Sequence, residues 1–163
     1  MAEVERDGYL GNEADPWVRD VLDRLRSGIT ATKVSTREDT FDSIITQLGR
    51  QNETPDGKPL PMVLETHPGG RWYRDLGGSN GHVWAFVQSI KRPVLLEFWG
   101  PLFMSTGASS NMQYRLTEVD GATRIDFRHT VVGPFPEEHR TPLSTGWKAM
   151  HARVKRVAEA AGQ

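Results

Sequence analysis

The chain has 163 residues, with 20 basic and 21 acidic side chains and a formal charge of −1. No basic stripe interleaved with aromatics appears, which argues against a nucleic-acid partner. There is no cysteine, so disulfides and thiolate chemistry are excluded. Such a length suits one domain that buries about two-thirds of its unfolded surface. No stretch approaches the roughly 18 apolar residues of a membrane span, and no apolar leader follows Met1. The expectation is a soluble, cytoplasmic domain.

Residues 1–14 are polar and read as a mobile arm, with a single domain over 15–163. Asp15-Pro16 is a helix-start signal, a capping carboxylate followed by proline at the first helical position. Trp17, Val21, Leu22 and Leu25 follow at helical spacing, so a short amphipathic helix is predicted over 16–26. A first strand is predicted from Ile29 to Val34, with a start as early as Arg24 also open. Ser35 with Glu38 three residues on forms a capping box. Phe41, Ile44, Ile45 and Leu48 then make the buried stripe of a helix that ends at Gly49. Residues 50–59 are a polar loop, either a connector or the rim of a site.

Short apolar runs then follow one another closely, and predict strands over 62–65, 71–76, 82–90, 94–99, 111–118 and 123–131. The stretch 68–104 concentrates Trp72, Trp84, Trp99, Phe86, Phe98 and Phe103 between Gly- and Pro-containing turns. Asp120-Gly121 is a hairpin turn. Such tight spacing favours an antiparallel meander over β-α-β units. After a Pro-containing loop, Thr141-Pro142 repeats the cap-plus-proline start. Leu143, Trp147, Met150, Val154, Val157 and Ala161 recur at three and four, the stripe of a long C-terminal helix.

From about Ile29 to Glu159 the chain resembles the SRPBCC superfamily, the START or Bet v 1-like proteins. Within it the similarity is to domains like the activator of Hsp90 ATPase. The residues that carry it are Pro68-Gly69-Gly70-Arg71-Trp72-Tyr73-Arg74-Asp75, Gly81-His82-Val83-Trp84, Gly100-Pro101-Leu102-Phe103-Met104, Gly121-Ala122-Thr123 and Gly146-Trp147. The resemblance implies an α+β helix-grip fold, in which a curved antiparallel sheet wraps around the long C-terminal helix. Two departures stand out. The short N-terminal helix is extra, and the loop 50–59 replaces the second short helix that usually follows the first.

Period-two alternation indicates which side chains face the space between sheet and helix. Ile125, Phe127 and His129 share a face against Arg124, Asp126 and Arg128, so His129 points inward. Met112, Tyr114 and Leu116 are inward in the preceding strand. Leu95, Glu97 and Trp99 oppose Leu96 and Phe98, and both faces are apolar. Here the resemblance to the family's Leu-x-aromatic-x-Trp pattern places Glu97 inside. Glu97, His129 and Tyr114 are thereby the candidate catalytic groups, an acid–base set if they meet. On the alternative reading Glu97 faces solvent and His129 is satisfied by backbone at a strand end. The candidate ligand-binding wall is Trp72, Trp84, Leu95, Trp99, Phe103, Met104, Met112, Phe127, Trp147 and Met150. In Arg71-Trp72-Tyr73-Arg74-Asp75 an arginine either pairs with a carboxylate across strands or holds an acidic group of a ligand at the cavity mouth. No His spacing suits a metal, and no cofactor motif occurs.

Three functions fit this reading. The first is binding of a small apolar or aromatic molecule between sheet and helix. A cyclase- or hydrolase-type enzyme that uses the same cavity is the second. The third is a chaperone-associated interaction domain, with a protein partner or a second copy of the chain. An apolar pocket above about 300 Å³ favours the first.

Overall fold

Turn chemistry and strand alternation lay out most of the molecule. The computed structural model describes residues 24–25, 30–32, 35–102 and 107–161. Its elements are β1 (Arg24–Leu25), β2 (Thr30–Thr32), α1 (Arg37–Leu48), β3 (Val63–Leu64), β4 (Arg71–Gly77), β5 (Asn80–Lys91), β6 (Leu95–Gly100), β7 (Ser109–Val119), β8 (Ala122–Val132), a 3-10 turn (Glu137–His139) and α2 (Arg140–Ala161). The arm over 1–14 lies outside the described residues. So does the helix expected over 16–26, except at Arg24–Leu25, which are strand and pair with Thr130 and His129 of β8.

All pairings between strands are antiparallel, in the order β1-β8-β7-β6-β5-β4-β3, with β2 also on β8. Gly78-Ser79 joins β4 to β5 and Asp120-Gly121 joins β7 to β8, each residue at positive φ. That backbone twist is the one two-residue hairpin loops require. The meander therefore follows from its turns, as the sequence predicts.

Helix α1 starts one residue later than the capping box suggests. Thr36, not Ser35, is the N-cap, and its hydroxyl accepts from the Asp39 N–H at 3.1 Å. Ser35 instead shares a hydrogen bond with the Thr40 hydroxyl at 2.7 Å. Phe41, Ile44 and Leu48 are buried as predicted. Helix α2 buries Leu143, Trp147, Met150, Val154 and Ala158, and crosses α1 where the Ser43 hydroxyl donates to the Val154 carbonyl at 3.0 Å. The core thus lies between the inner sheet face and the two helices. Among the described residues, no helix is long and apolar enough to cross a membrane.

One irregularity positions the site. Trp72 pairs with Ala85 but its neighbour Tyr73 pairs with Val83, so Trp84 is an extra residue in β5. Such a bulge re-aims a side chain and bends the strand. Gly100 at the end of β6 packs onto it, with φ 154°. A Cβ there would stand 2.6 Å from the Ala85 Cα and 2.7 Å from the Trp84 carbonyl oxygen, contacts that only glycine avoids. The chain then turns so that the Leu102 N–H donates to that same carbonyl at 2.7 Å.

Candidate functional site

The period of two places Trp72 and Arg74 of β4 on the inner sheet face, because Arg71 and Tyr73 are together on the outer one. There the Arg71 guanidinium lies 4.6 Å from the Tyr73 ring centroid. Arg71 also grips Glu65, through Nε at 3.1 Å and Nη2 at 2.6 Å, and this holds the Glu65 carboxyl down to about 2. On the inner face the Trp72 indole N–H donates to the Leu48 carbonyl at 2.8 Å. That bond satisfies a free carbonyl in the last turn of α1 and fixes where the helix ends against the sheet. Trp84, turned in by the bulge, meets Trp72 edge to face at 5.2 Å.

These two rings form one wall of a cavity of about 410 Å³. The opposite wall is the first half of α2, with Leu143, Gly146, Trp147 and Met150. Leu48, Leu60 and Leu102 complete the apolar lining, and Asn52, Glu53, Thr54 and Pro55 form the rim. The loop 50–59 is therefore a rim rather than a bare connector. It is shaped by a bridge between Glu53 and Pro59 and by the Thr54 hydroxyl, which bonds Asp56 and the Lys58 backbone. Arg74 is the remaining polar lining residue.

Of the ligand-binding wall expected from sequence, the cavity collects Trp72, Trp84, Trp147 and Met150. Phe103 and Met104 lie outside the described residues. Met112 and Phe127 are buried in the core beneath, away from the cavity lining. Leu95, Glu97 and Trp99 require a correction, since they occupy the outer face of the sheet. Leu96 and Phe98 are the buried side of β6, whereas Trp99 is 50 % exposed and stacks on Phe86 at 5.2 Å. The Glu97 carboxylate accepts from the Asn111 side-chain amide at 3.1 Å. Register decides this. Leu96 and Phe98 pair with the inward Tyr114 and Met112 of β7, and paired residues point to the same side. Glu97→Gln is accordingly expected to change unfolding free energy by no more than about 0.5 kcal/mol in a urea titration.

His129 and Tyr114 do face inward, but Glu97 does not reach them. They belong instead to a closed aromatic–imidazole cluster. The Trp147 indole N–H donates to His129 Nδ1 at 3.1 Å, and His151 Nε2 lies 3.3 Å from the Tyr114 hydroxyl. Phe127 sits between them, with ring centroids 4.6 Å from both Tyr114 and Trp147 and 4.7 Å from His151. Because Nδ1 accepts, the neutral His129 ring carries its proton on Nε2, which is buried and has no hydrogen-bond partner among the described residues. Burial pulls His129 and His151 down to about 4 and pushes the Tyr114 hydroxyl up. The lone pair a general base would use is occupied at His129. Among the described residues, no three His, Asp or Glu side chains gather where they could hold a metal ion.

Sequence spacing had a signal for His151, which stands one turn after Trp147 on the buried face of α2. Asn52 and Leu60 carried none, because their place on the rim depends on the folded loop.

No protein-family model and no curated protein matches the sequence. Solved structures do match. Ara h 8.0201 superposes with a TM-score of 0.62 at 11% identity, covering 85% of this chain and 98% of its own. The Aha1 dimer from Colwellia psychrerythraea gives 0.61 at 12% identity, covering 85% and 97%. DynU16, of the dynemicin biosynthetic locus, gives 0.63 at 15% identity over 85% of this chain and 48% of that one. The chain has the helix-grip fold that these structures share. At these identities the likeness is one of fold. Helix-grip geometry accounts for the site: α2 lies over the sheet, a bulge at Trp84 re-aims that ring inward, and the cavity lies between them.

Proposed function

We propose that this helix-grip protein binds a small apolar or aromatic molecule between β4–β5 and the first half of α2. The observation that carries the reading is the cavity of about 410 Å³ with its tryptophan and leucine lining. That volume lies within the range of about 300–1,000 Å³ usual for small-molecule sites. Trp72, Trp84 and Trp147 offer flat apolar surfaces to a ring, and Met150 an adaptable one. An enzyme of the cyclase or hydrolase kind draws less support. Its candidate groups are split between the outer sheet face (Glu97) and the closed cluster below the cavity (His129, Tyr114). A surface-acting interaction domain has one observation in its favour, the half-exposed Trp99 stacked on Phe86.

The test is uptake of N-phenyl-1-naphthylamine, a neutral dye that fluoresces in apolar surroundings. One dye per chain is expected to bind, and a concentration of about 100 times Kd should stabilise the fold by about 2.7 kcal/mol through mass action. A dye that stays dark, with melting curves unmoved across a chemically varied set of aromatic compounds, contradicts the binding reading.

A further inference from the structure

Two ionisable side chains line the cavity, Glu53 and Arg74, and they are not in the same condition. The Glu53 carboxylate has a counter-ion in Arg153, whose Nε is 3.7 Å away. Arg74 has no ion-pair or side-chain hydrogen-bond partner among the described residues. It is half-buried on the inner sheet face, one alternation from Trp72. Its near neighbour Arg71, in the same strand, has a full set of bonds to Glu65. A guanidinium is always charged and presents five N–H donors. To leave it unpaired over an apolar lining costs free energy that a leucine in its place would avoid. Asn52 adds a second polar group. It is only 8% exposed, lines the same cavity, and its carboxamide makes no hydrogen bond among the described residues.

We infer that the ligand of this cavity is an apolar acid, whose carboxylate is held by the Arg74 guanidinium and the Asn52 amide while its hydrocarbon or ring lies against Trp72 and Trp84. The inference rests on the binding reading above and adds the charge of the ligand to it. One guanidinium supplies a single positive charge, and the Glu53 carboxylate stands on the same rim. A monoanion fits that balance and a phosphate dianion does not, since its second charge would have no counter-ion and would face Glu53. A cationic ligand would meet Arg74 directly.

Displacement of N-phenyl-1-naphthylamine separates the charge from the apolar contact. The competitors are 2-naphthoate, its neutral counterpart 2-naphthamide, and 2-naphthyl phosphate. On the native protein, naphthoate is expected to displace the dye at about tenfold lower concentration than naphthamide, the size of a charge-assisted hydrogen bond that is partly exposed. Arg74→Gln should abolish that difference, and one neutral dye per chain should still bind, which reports that the cavity survives the substitution. Equal displacement by naphthoate and naphthamide on the native protein overturns the inference and leaves the binding reading standing. So does a preference that persists in Arg74→Gln. A stronger effect of naphthyl phosphate than of naphthoate overturns the assignment to a carboxylate. If the dye itself never binds, the binding reading fails, and the inference with it.

Discussion

At pH 4.5 the protein is expected to be about 5 kcal/mol less stable than at pH 7, the combined effect of His129 and His151. In the folded state burial holds both imidazoles down to about 4 from an ordinary value of 6.5. The unfolded chain therefore takes up two protons as pH falls through about 6.5, while the folded chain refuses them until about pH 4. Between those values the unfolded state binds more protons, so stability falls as pH falls. The contribution is fully present above pH 6.5 and is lost by about pH 4. The structural reason is that neither ring can be charged in place. His129 Nδ1 accepts the Trp147 N–H, and His151 is packed against Phe127, Tyr114 and Trp147. Urea titrations at the two pH values measure the loss, and His151→Gln should remove about half of it. In NMR, the ring signals of both histidines should not move between pH 7.5 and 5.5. A pH dependence below about 1 kcal/mol, or either ring titrating near 6.5, contradicts the neutral cluster.

Trp147→Ala should cost about 3 to 5 kcal/mol, as large-to-small changes in cores do. Trp147 is only 7% exposed. It touches Phe127, lies nearly parallel to His151 with 17° between the ring planes, and bonds His129. It also walls the cavity, so its removal would enlarge a space that the surroundings have not collapsed to fill. Trp147→Phe separates packing from hydrogen bonding. It keeps a ring but leaves His129 Nδ1 without its donor, and should cost about 1 to 3 kcal/mol. Guanidinium titrations of both variants decide the matter, and a loss below 1 kcal/mol for the alanine variant would sink the assignment of α2 to the gripped position. Because Trp147 shares its contacts with His129 and His151, its effect should not add to theirs.

Much of the architecture is a local property of the chain, and is legible for that reason. The Asp120-Gly121 turn sets the β7–β8 hairpin, and charged outer positions on β8 (Arg124, Asp126, Arg128) leave only one face for Phe127 and His129. On α2 the spacing of Leu143, Trp147, Met150 and Val154 defines a single buried side. In each case a polar face and an apolar face differ within one element, so the period alone decides which way it turns.

Strand β6 lacks that contrast. Leu95-Leu96-Glu97-Phe98-Trp99 is apolar on both sides, and only its register with β7, together with the Phe86–Trp99 stack outside, turns Glu97 outward. Family pattern pointed the other way, and pairing geometry overrode it. The cavity is less local still. It is a volume left where the sheet bends at the Trp84 bulge and the loop 50–59 closes over one side of it, and no residue encodes a volume by its own identity. Arg74 shows both halves of the matter. Its sequence setting, a cation among rings, raised two roles for an arginine in this strand. Alternation around the bulge separated them, with Arg71 outside on Glu65 and Arg74 inside on the cavity. Composition, turns and periodicity determined a sheet that grips a helix. Register, bulge and loop closure, which depend on residues far apart in the chain, decided what the grip encloses.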